Sequence, residues 1–185
     1  MDVIALDQAL EVAINGCRAQ WADTFFWYVS QSYVWIPLYA LIIVLLCMRF
    51  GWKKAAILTL ALIAAAGLSD WVSSGLIKPA VCRWRPTHEP ILAGLIQIVN
   101  HYAGGRFGFV SSHAANTMSV ALLFSLIWRK KWVTSLMMIW VLLNCYSRMY
   151  LGVHYPGDIL GGLLLGTLIA LVIYKILSHK FIETL

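Results

Sequence analysis

Three short stretches concentrate the polar chemistry of this 185-residue chain: "KPAVCRWRP" (78–86), "VSSH" (110–113) and "SRMYLGVHYPGD" (147–158). They hold the cations Lys78, Arg83, Arg85 and Arg148, the histidines His113 and His154, and the carboxylate of Asp158. Cations at this density describe a site for an anion, and two histidines beside one carboxylate add acid–base and nucleophilic capacity. Pro156 fits the first position of a helix, which sets His154 just before that helix and Asp158 in its first turn. A carboxylate so placed can hold one ring nitrogen of His154 and leave the other to attack. Ser111 and Ser112 stand where another helix begins, where unpaired N–H groups and hydroxyls suit a phosphate. His113 stands beside them.

The elements that must position these residues are apolar. The chain is 61% hydrophobic with nine tryptophans, outside the range of ordinary soluble domains. A spanning helix needs about 20 mostly apolar residues. Five stretches meet that standard, centred on 33–48, 55–77, 114–128, 132–146 and 159–177. The expectation is an all-α, polytopic membrane bundle of about five spans in one domain, residues 1–185. Asp7, Gln8, Glu11 and Asn15 form a polar stripe opposite Leu6, Leu10, Ala13 and Ile14, which predicts an interfacial helix within a lead-in over 1–31. "FFWY" (25–28) fits an aromatic belt at the headgroups. Leu92, Leu95, Ile96, Val99 and Tyr102 predict a second amphipathic helix, closed by Gly104 and Gly105, inside an outer loop over 79–110.

The net charge of +6 is spread singly and in pairs between apolar runs, which suits membrane orientation and not a nucleic-acid patch. Arg49, Lys53 and Lys54 join the first two spans; Arg129, Lys130 and Lys131 join the third and fourth; Lys175 and Lys180 follow the fifth. Short basic loops stay in the cytoplasm. The three polar stretches therefore fall together on the outer side, with the C-terminus inside. The cysteines Cys17, Cys47, Cys82 and Cys145 form no CxxC pair, and a disulfide between the two outer ones, Cys17 and Cys82, stays open.

The order Lys-x6-Arg-Pro (Lys78, Arg85, Pro86), Ser-x-His (Ser111, His113) and Ser-Arg-x5-His-x3-Asp (Ser147, Arg148, His154, Asp158) resembles the type 2 phosphatidic acid phosphatase superfamily, the lipid phosphate phosphatases. The resemblance covers about residues 7 to 178. The second motif departs from the usual Pro-Ser-Gly-His, with Val110 in place of proline and Ser112 in place of glycine. By this resemblance His154 is the nucleophile that forms a phosphohistidine, Asp158 orients it, and His113 is the general acid. Lys78, Arg85 and Arg148, with Ser111 and Ser112, hold the phosphate; no metal or other cofactor is implied.

Arg83 and Arg106 are weaker candidates for substrate contact, since arginines at span ends often anchor at headgroups. Asp70, late in the second span with Ser69, Ser73 and Ser74, reads as a polar bridge between helices. Gly161, Gly162 and Gly166 read as packing positions. A channel or small transporter would place polar residues through the membrane middle, whereas here they gather at one face. A vanadate-dependent haloperoxidase shares the motifs, but five spans argue against it. The expected partners are the bilayer and a lipid phosphate, with no nucleic acid and no obligate protein partner, and the expected location is a bacterial cytoplasmic membrane with the site facing outward. The short chain leaves no domain to recognise a large headgroup, which favours undecaprenyl diphosphate; lipid A is the alternative, then phosphatidylglycerol phosphate or phosphatidic acid.

Overall fold

A computed structural model describes residues 2–178. Lys180, one of the cations used to orient the chain, lies outside the described residues. Every regular element among those residues is a helix, with one isolated bridge between Trp84 and Phe107. Helix α1 (Val3–Gly16) and helix α2 (Gln20–Val29) precede helix α3 (Ile36–Asp70), which runs on through a π-helical segment (Trp71–Ile77) into the short α4 (Lys78–Val81). Helices α5 (Ser112–Trp128), α6 (Lys131–Tyr150) and α7 (Pro156–Leu177) complete the bundle. At Gly51 the backbone turns through φ 75°, ψ 159°, breaking α3 into two arms. Glycine reaches that conformation without a Cβ penalty. Ile42 and Ile43 of the first arm and Leu62, Ile63 and Ala66 of the second line one cavity.

Helix α5 is the central post, packed against α3, α6 and α7 and buried along most of its length. The approach of α7 depends on small residues: a Cβ at Gly162 would lie 2.5 Å from the Ser111 carbonyl oxygen and 2.9 Å from the Ala114 Cβ. Gly166 meets Ala115 in the same way. Leu60, Leu136, Ile139, Leu142, Leu164 and Leu168 instead point away from the protein, the pattern of a bundle whose solvent is hydrocarbon. The segments Ser32–Val81 and Pro156–Leu177 are each long and apolar enough to cross a bilayer.

Two expectations change. Residues 92–102 do not form an amphipathic helix: short 3-10 turns at Pro86–His88 and Pro90–Leu92 lead into irregular chain. Pro86 and Pro90 each remove a backbone donor, while Gly94, Asn100 and His101 adopt positive φ. The apolar periodicity comes from separate plugs. Val99 packs with Tyr150, Leu151 and Val153 in a small outer core, while Leu95 is exposed. Asn15 pins the loop, accepting from the Gln97 N–H at 2.8 Å and donating to the Gln97 carbonyl at 3.1 Å.

The second change concerns α1. It is amphipathic, but its polar stripe faces the protein: Glu11 and Asn15 are buried, while Val3, Ile4, Leu6 and Leu10 are exposed. Turned inward, Asn15 finds its partners within the protein, at the Gln97 and Tyr150 carbonyls. Of the aromatic cluster, Phe25 and Tyr28 are exposed, whereas Phe26 packs on Tyr146 and Tyr150 and Trp27 on Tyr102. Cys17 and Cys82 are both free thiols.

Candidate active site

The three polar stretches meet at one end of the bundle. Arg49, bonded to the Trp128 carbonyl at 2.6 Å, and Arg129, bonded to Tyr174 at 3.2 Å, mark the other. The meeting point is a cavity of about 810 Å³ lined by Lys78, Arg85, Ser112, His113, Arg148 and His154. From these polar walls it extends between the arms of α3 along Tyr39, Ile42, Leu62 and Ile63, so a charged head chamber continues into an apolar slot.

Local sequence fixes the nucleophile candidate. Pro156 opens α7, and Asp158, at the third helical position, accepts the Tyr155 N–H at 3.2 Å on Oδ2. The same oxygen lies 3.2 Å from His154 Nδ1. An ionised carboxylate only accepts, so Nδ1 carries the proton and Nε2 keeps its lone pair. Both residues are buried, His154 at 1% and Asp158 at 0% exposure. Burial first, then the charges of Arg85, Arg148, Lys78 and His113, hold the His154 ring well below the ordinary histidine range. The ring is neutral at pH 7, the form that can attack phosphorus.

The cations around it are of two kinds. Arg148 donates to Ser30 Oγ through Nη1 and to Tyr102 Oη through Nη2 at 3.1 Å. Arg85 is held by the Phe107 and Val153 carbonyls at 3.1 and 3.4 Å. Lys78 Nζ reaches Ser112 Oγ at 2.5 Å, and Ser73 and Ser74 bond to the same hydroxyl at 2.9 and 2.8 Å. Among the described residues none of these three cations has a carboxylate within ion-pair distance. Neutral partners orient them and leave their charge uncancelled, which suits a multiply charged anion. Burial and Arg148 draw Arg85 down; at Tyr102 burial raises the phenol, but the charge and hydrogen bond of Arg148 together with the charge of Arg85 lower it overall.

Arg83 differs. Its Nη1 bonds Asp158 Oδ1 at 2.9 Å and its Nη2 bonds Asp7 Oδ2 at 2.6 Å. It lies behind Asp158 and does not line the cavity, so the expectation of substrate contact gives way to an ion pair. Arg106 is exposed and lies over the rings of Trp84 and Phe107. Ser111 and Ser112 divide their work: Ser111 caps α5, accepting the Ala114 N–H at 3.4 Å, while the Ser112 hydroxyl faces the cavity. Asp70 is exposed on the cavity wall and accepts from Asn116 Nδ2 at 3.5 Å, so it does join two helices, though it is not buried.

Sequence reasoning missed Ser30, whose only signal was polarity near a span end, and read Tyr102 as part of an apolar helical face. It read Asp7 and Glu11 as facing headgroups. Glu11 is fully buried with neither carboxyl oxygen bonded, and burial, then Asp158 and Asp7, push it up to about 10. It is a neutral carboxylic acid. Among the described residues no group of three or more His, Cys, Asp or Glu side chains is arranged to hold a metal ion.

A helical bundle with these three motifs meeting at one end defines a class of membrane phosphatases. The chain matches the PAP2 superfamily over residues 33–182 and belongs to it. It is 35% identical to the lipid A 4′-phosphatase of Bacteroides thetaiotaomicron over 95% of this chain and 78% of that protein. It is 31% identical to the lipid A 4′-phosphatase of Porphyromonas gingivalis over 94% of this chain and 74% of that protein. Its fold is shared with a transmembrane PAP2 type phosphatidylglycerolphosphate phosphatase from Bacillus subtilis, at 24% identity and a TM-score of 0.73, covering 97% of this chain and 87% of that one. The chain is thus a PAP2-type lipid phosphatase.

Proposed function

We propose that this phosphatase is metal-independent, works through a phosphohistidine at residue 154, and removes the 4′-phosphate of lipid A at the outer face of a bacterial cytoplasmic membrane. The observation that carries the mechanism is a histidine held through Nδ1 by a carboxylate on the wall of a cavity lined by three cations that, among the described residues, have no carboxylate partner. Nε2 of His154 attacks phosphorus, the bond from phosphorus to the lipid oxygen breaks, and His113, which takes up a proton only when the bound phosphate offsets the neighbouring cations, gives that oxygen its proton. Lys78, Arg85 and Arg148 neutralise the equatorial oxygens, where charge builds, with Ser112 and the first amides of α5 beside them. His113, now neutral, then takes a proton from water. The hydroxide replaces His154 on phosphorus, the N–P bond breaks, and inorganic phosphate leaves. Asp158 faces the imidazole Nδ1 throughout and offsets the positive charge that the phosphorylated ring acquires.

Lipid A is favoured by two relatives of that name, which align with 95% and 94% of this chain. The apolar slot between the α3 arms favours a second reading, undecaprenyl diphosphate, because an apolar lining beside a charged chamber suits an isoprenoid chain bearing a diphosphate. Purified protein in detergent with EDTA, given lipid A, undecaprenyl diphosphate, phosphatidylglycerol phosphate and phosphatidic acid in turn, separates them. Fastest phosphate release from lipid A is expected; a strong preference for undecaprenyl diphosphate would establish the second reading. The five apolar runs support five spans, and the basic loops between them support a C-terminus inside. A single cysteine at Gly105 in a cysteine-free variant should react with an impermeant maleimide on spheroplasts, whereas labelling only after lysis would invert the topology.

A further inference from the structure

We infer that Arg83 and Asp7 are positioning residues that act on the reaction through Asp158, so that helix α1 belongs to the catalytic apparatus. The inference rests on the phosphatase reading above. Asp158 is fully buried, and its two oxygens have different tasks. Oδ2 serves His154 Nδ1 and the Tyr155 N–H, while Oδ1 has Arg83 Nη1 as its hydrogen-bond partner. A buried carboxylate left with an oxygen unpaired is destabilised by its whole desolvation cost, and it can lower that cost by taking a proton or turning away. Either change would release the imidazole. Arg83 prevents both by forming the outer half of the chain His154–Asp158–Arg83–Asp7.

Asp7 completes the chain in two ways. Its Oδ2 bonds Arg83 Nη2 at 2.6 Å, and its Oδ1 accepts the Gly157 N–H at 2.8 Å, so one carboxylate grips both the arginine and the first turn of α7. The fit is close at Gly157, where a Cβ would stand 2.7 Å from Asp7 Oδ2. The guanidinium also lies 4.2 Å over the Tyr155 ring, which fixes its plane. Glu11, one turn beyond Asp7 on the same buried face, is neutral and adds no competing charge. The groups that bear on Asp158 are therefore Arg83, His154, the Tyr155 amide, Asp7 and Glu11 from α1, and Lys78 and Arg85 from the cavity wall.

A residue that acts through another shows it by non-additivity. Single-turnover phosphate release should be compared in wild type, Arg83→Met, Asp158→Asn and the double variant, with lipid A and with p-nitrophenyl phosphate. Arg83→Met should lower kcat by ~10²-fold with KM nearly unchanged, the scale of a misplaced catalytic group. The same substitution in the Asp158→Asn background should cost less than about threefold, within the usual additivity error. Asp7→Asn should give a smaller loss in kcat, and Arg83→Lys should recover part of the activity, since an ammonium can reach one carboxylate but lacks the planar fork for two. If Arg83→Met does not fold, the cycle is run with Arg83→Lys. Equal losses in both backgrounds, or a raised KM with kcat kept, would overturn the inference while leaving the phosphatase reading intact. A folded wild-type chain that released no phosphate from any of these substrates would sink that reading and this inference with it.

Discussion

Among the described residues, Lys78, Arg85 and Arg148 in front of His154 present three positive charges held by hydroxyls and carbonyls, whereas Arg83 behind Asp158 is shared by two carboxylates. Both regions are equally basic when read along the sequence, because Arg83 and Arg85 are separated only by Trp84. What separates them is the partner set. Charge that is oriented but uncancelled attracts an anion, and charge that is consumed in place builds a scaffold. Arg83 and Arg85, two residues apart, meet different partners and so supply one of each.

The contrast can be broken from the front with large effects. His113→Ala should lower turnover of a lipid phosphate by about 10²- to 10⁴-fold, the usual worth of a general acid. With p-nitrophenyl phosphate, whose leaving group needs no proton, the first step should lose much less. Equal losses on both substrates would remove His113 from the acid role. Next, Arg148→Ala should cost ~10²- to 10³-fold in kcat/KM, the usual worth of one preorganised donor to developing charge. An effect under tenfold would mean that Arg148 is structural, held by Ser30 and Tyr102 for packing alone.

Smaller effects should come from the frame and the rim. Gly162→Ala drives a methyl against the Ser111 carbonyl at the α5–α7 contact and should destabilise the fold by about 1–3 kcal/mol, the range for overpacking. Thermal unfolding in detergent measures this, and an unchanged Tm would refute the packing account. Arg106→Ala, at an exposed position over Trp84 and Phe107, should change kcat/KM by less than about threefold, as surface positions do. A loss of tenfold would extend the anion site to the rim.

The depressed His154 ring adds a pH dependence of defined sign. In the unfolded chain it titrates near 6.5, at the ordinary value, and in the fold well below it. Below about pH 6.5 the unfolded state thus binds more protons, so this contribution to stability is complete above that pH and falls away as the pH drops toward the folded value. Tm measured between pH 7.5 and 4.5 should fall less steeply in His154→Ala than in wild type. A parallel pair of curves would show that the ring is not held neutral by the fold.

How far the sequence disclosed this architecture varies with the range of the interaction. Pro156, His154 and Asp158 are close along the chain, and helix-start chemistry was enough to place them relative to one another. The apolar runs announced the long helices because composition alone makes them. Helix α1 was visible as a helix but its sidedness was not, since the same stripe of Asp7, Glu11 and Asn15 fits water, headgroups or a buried carboxylate network. Residues 92–102 imitated a helix because their apolar residues recur at helical intervals, although Leu92, in a 3-10 turn, and Val99, in irregular chain, are buried and Leu95 is exposed. Arg83 could not be told from Arg85 without Asp7, which lies 76 residues away along the chain.

The central claim, that His154 carries the phosphoryl group, is tested most directly by trapping it. Detergent-purified enzyme mixed with 32P-labelled lipid phosphate and quenched within one turnover should hold label that survives alkali, is lost in acid, and maps to residue 154, and His154→Ala should hold none. Label absent from wild type under conditions where phosphate is being released, or label retained in His154→Ala, would contradict the account.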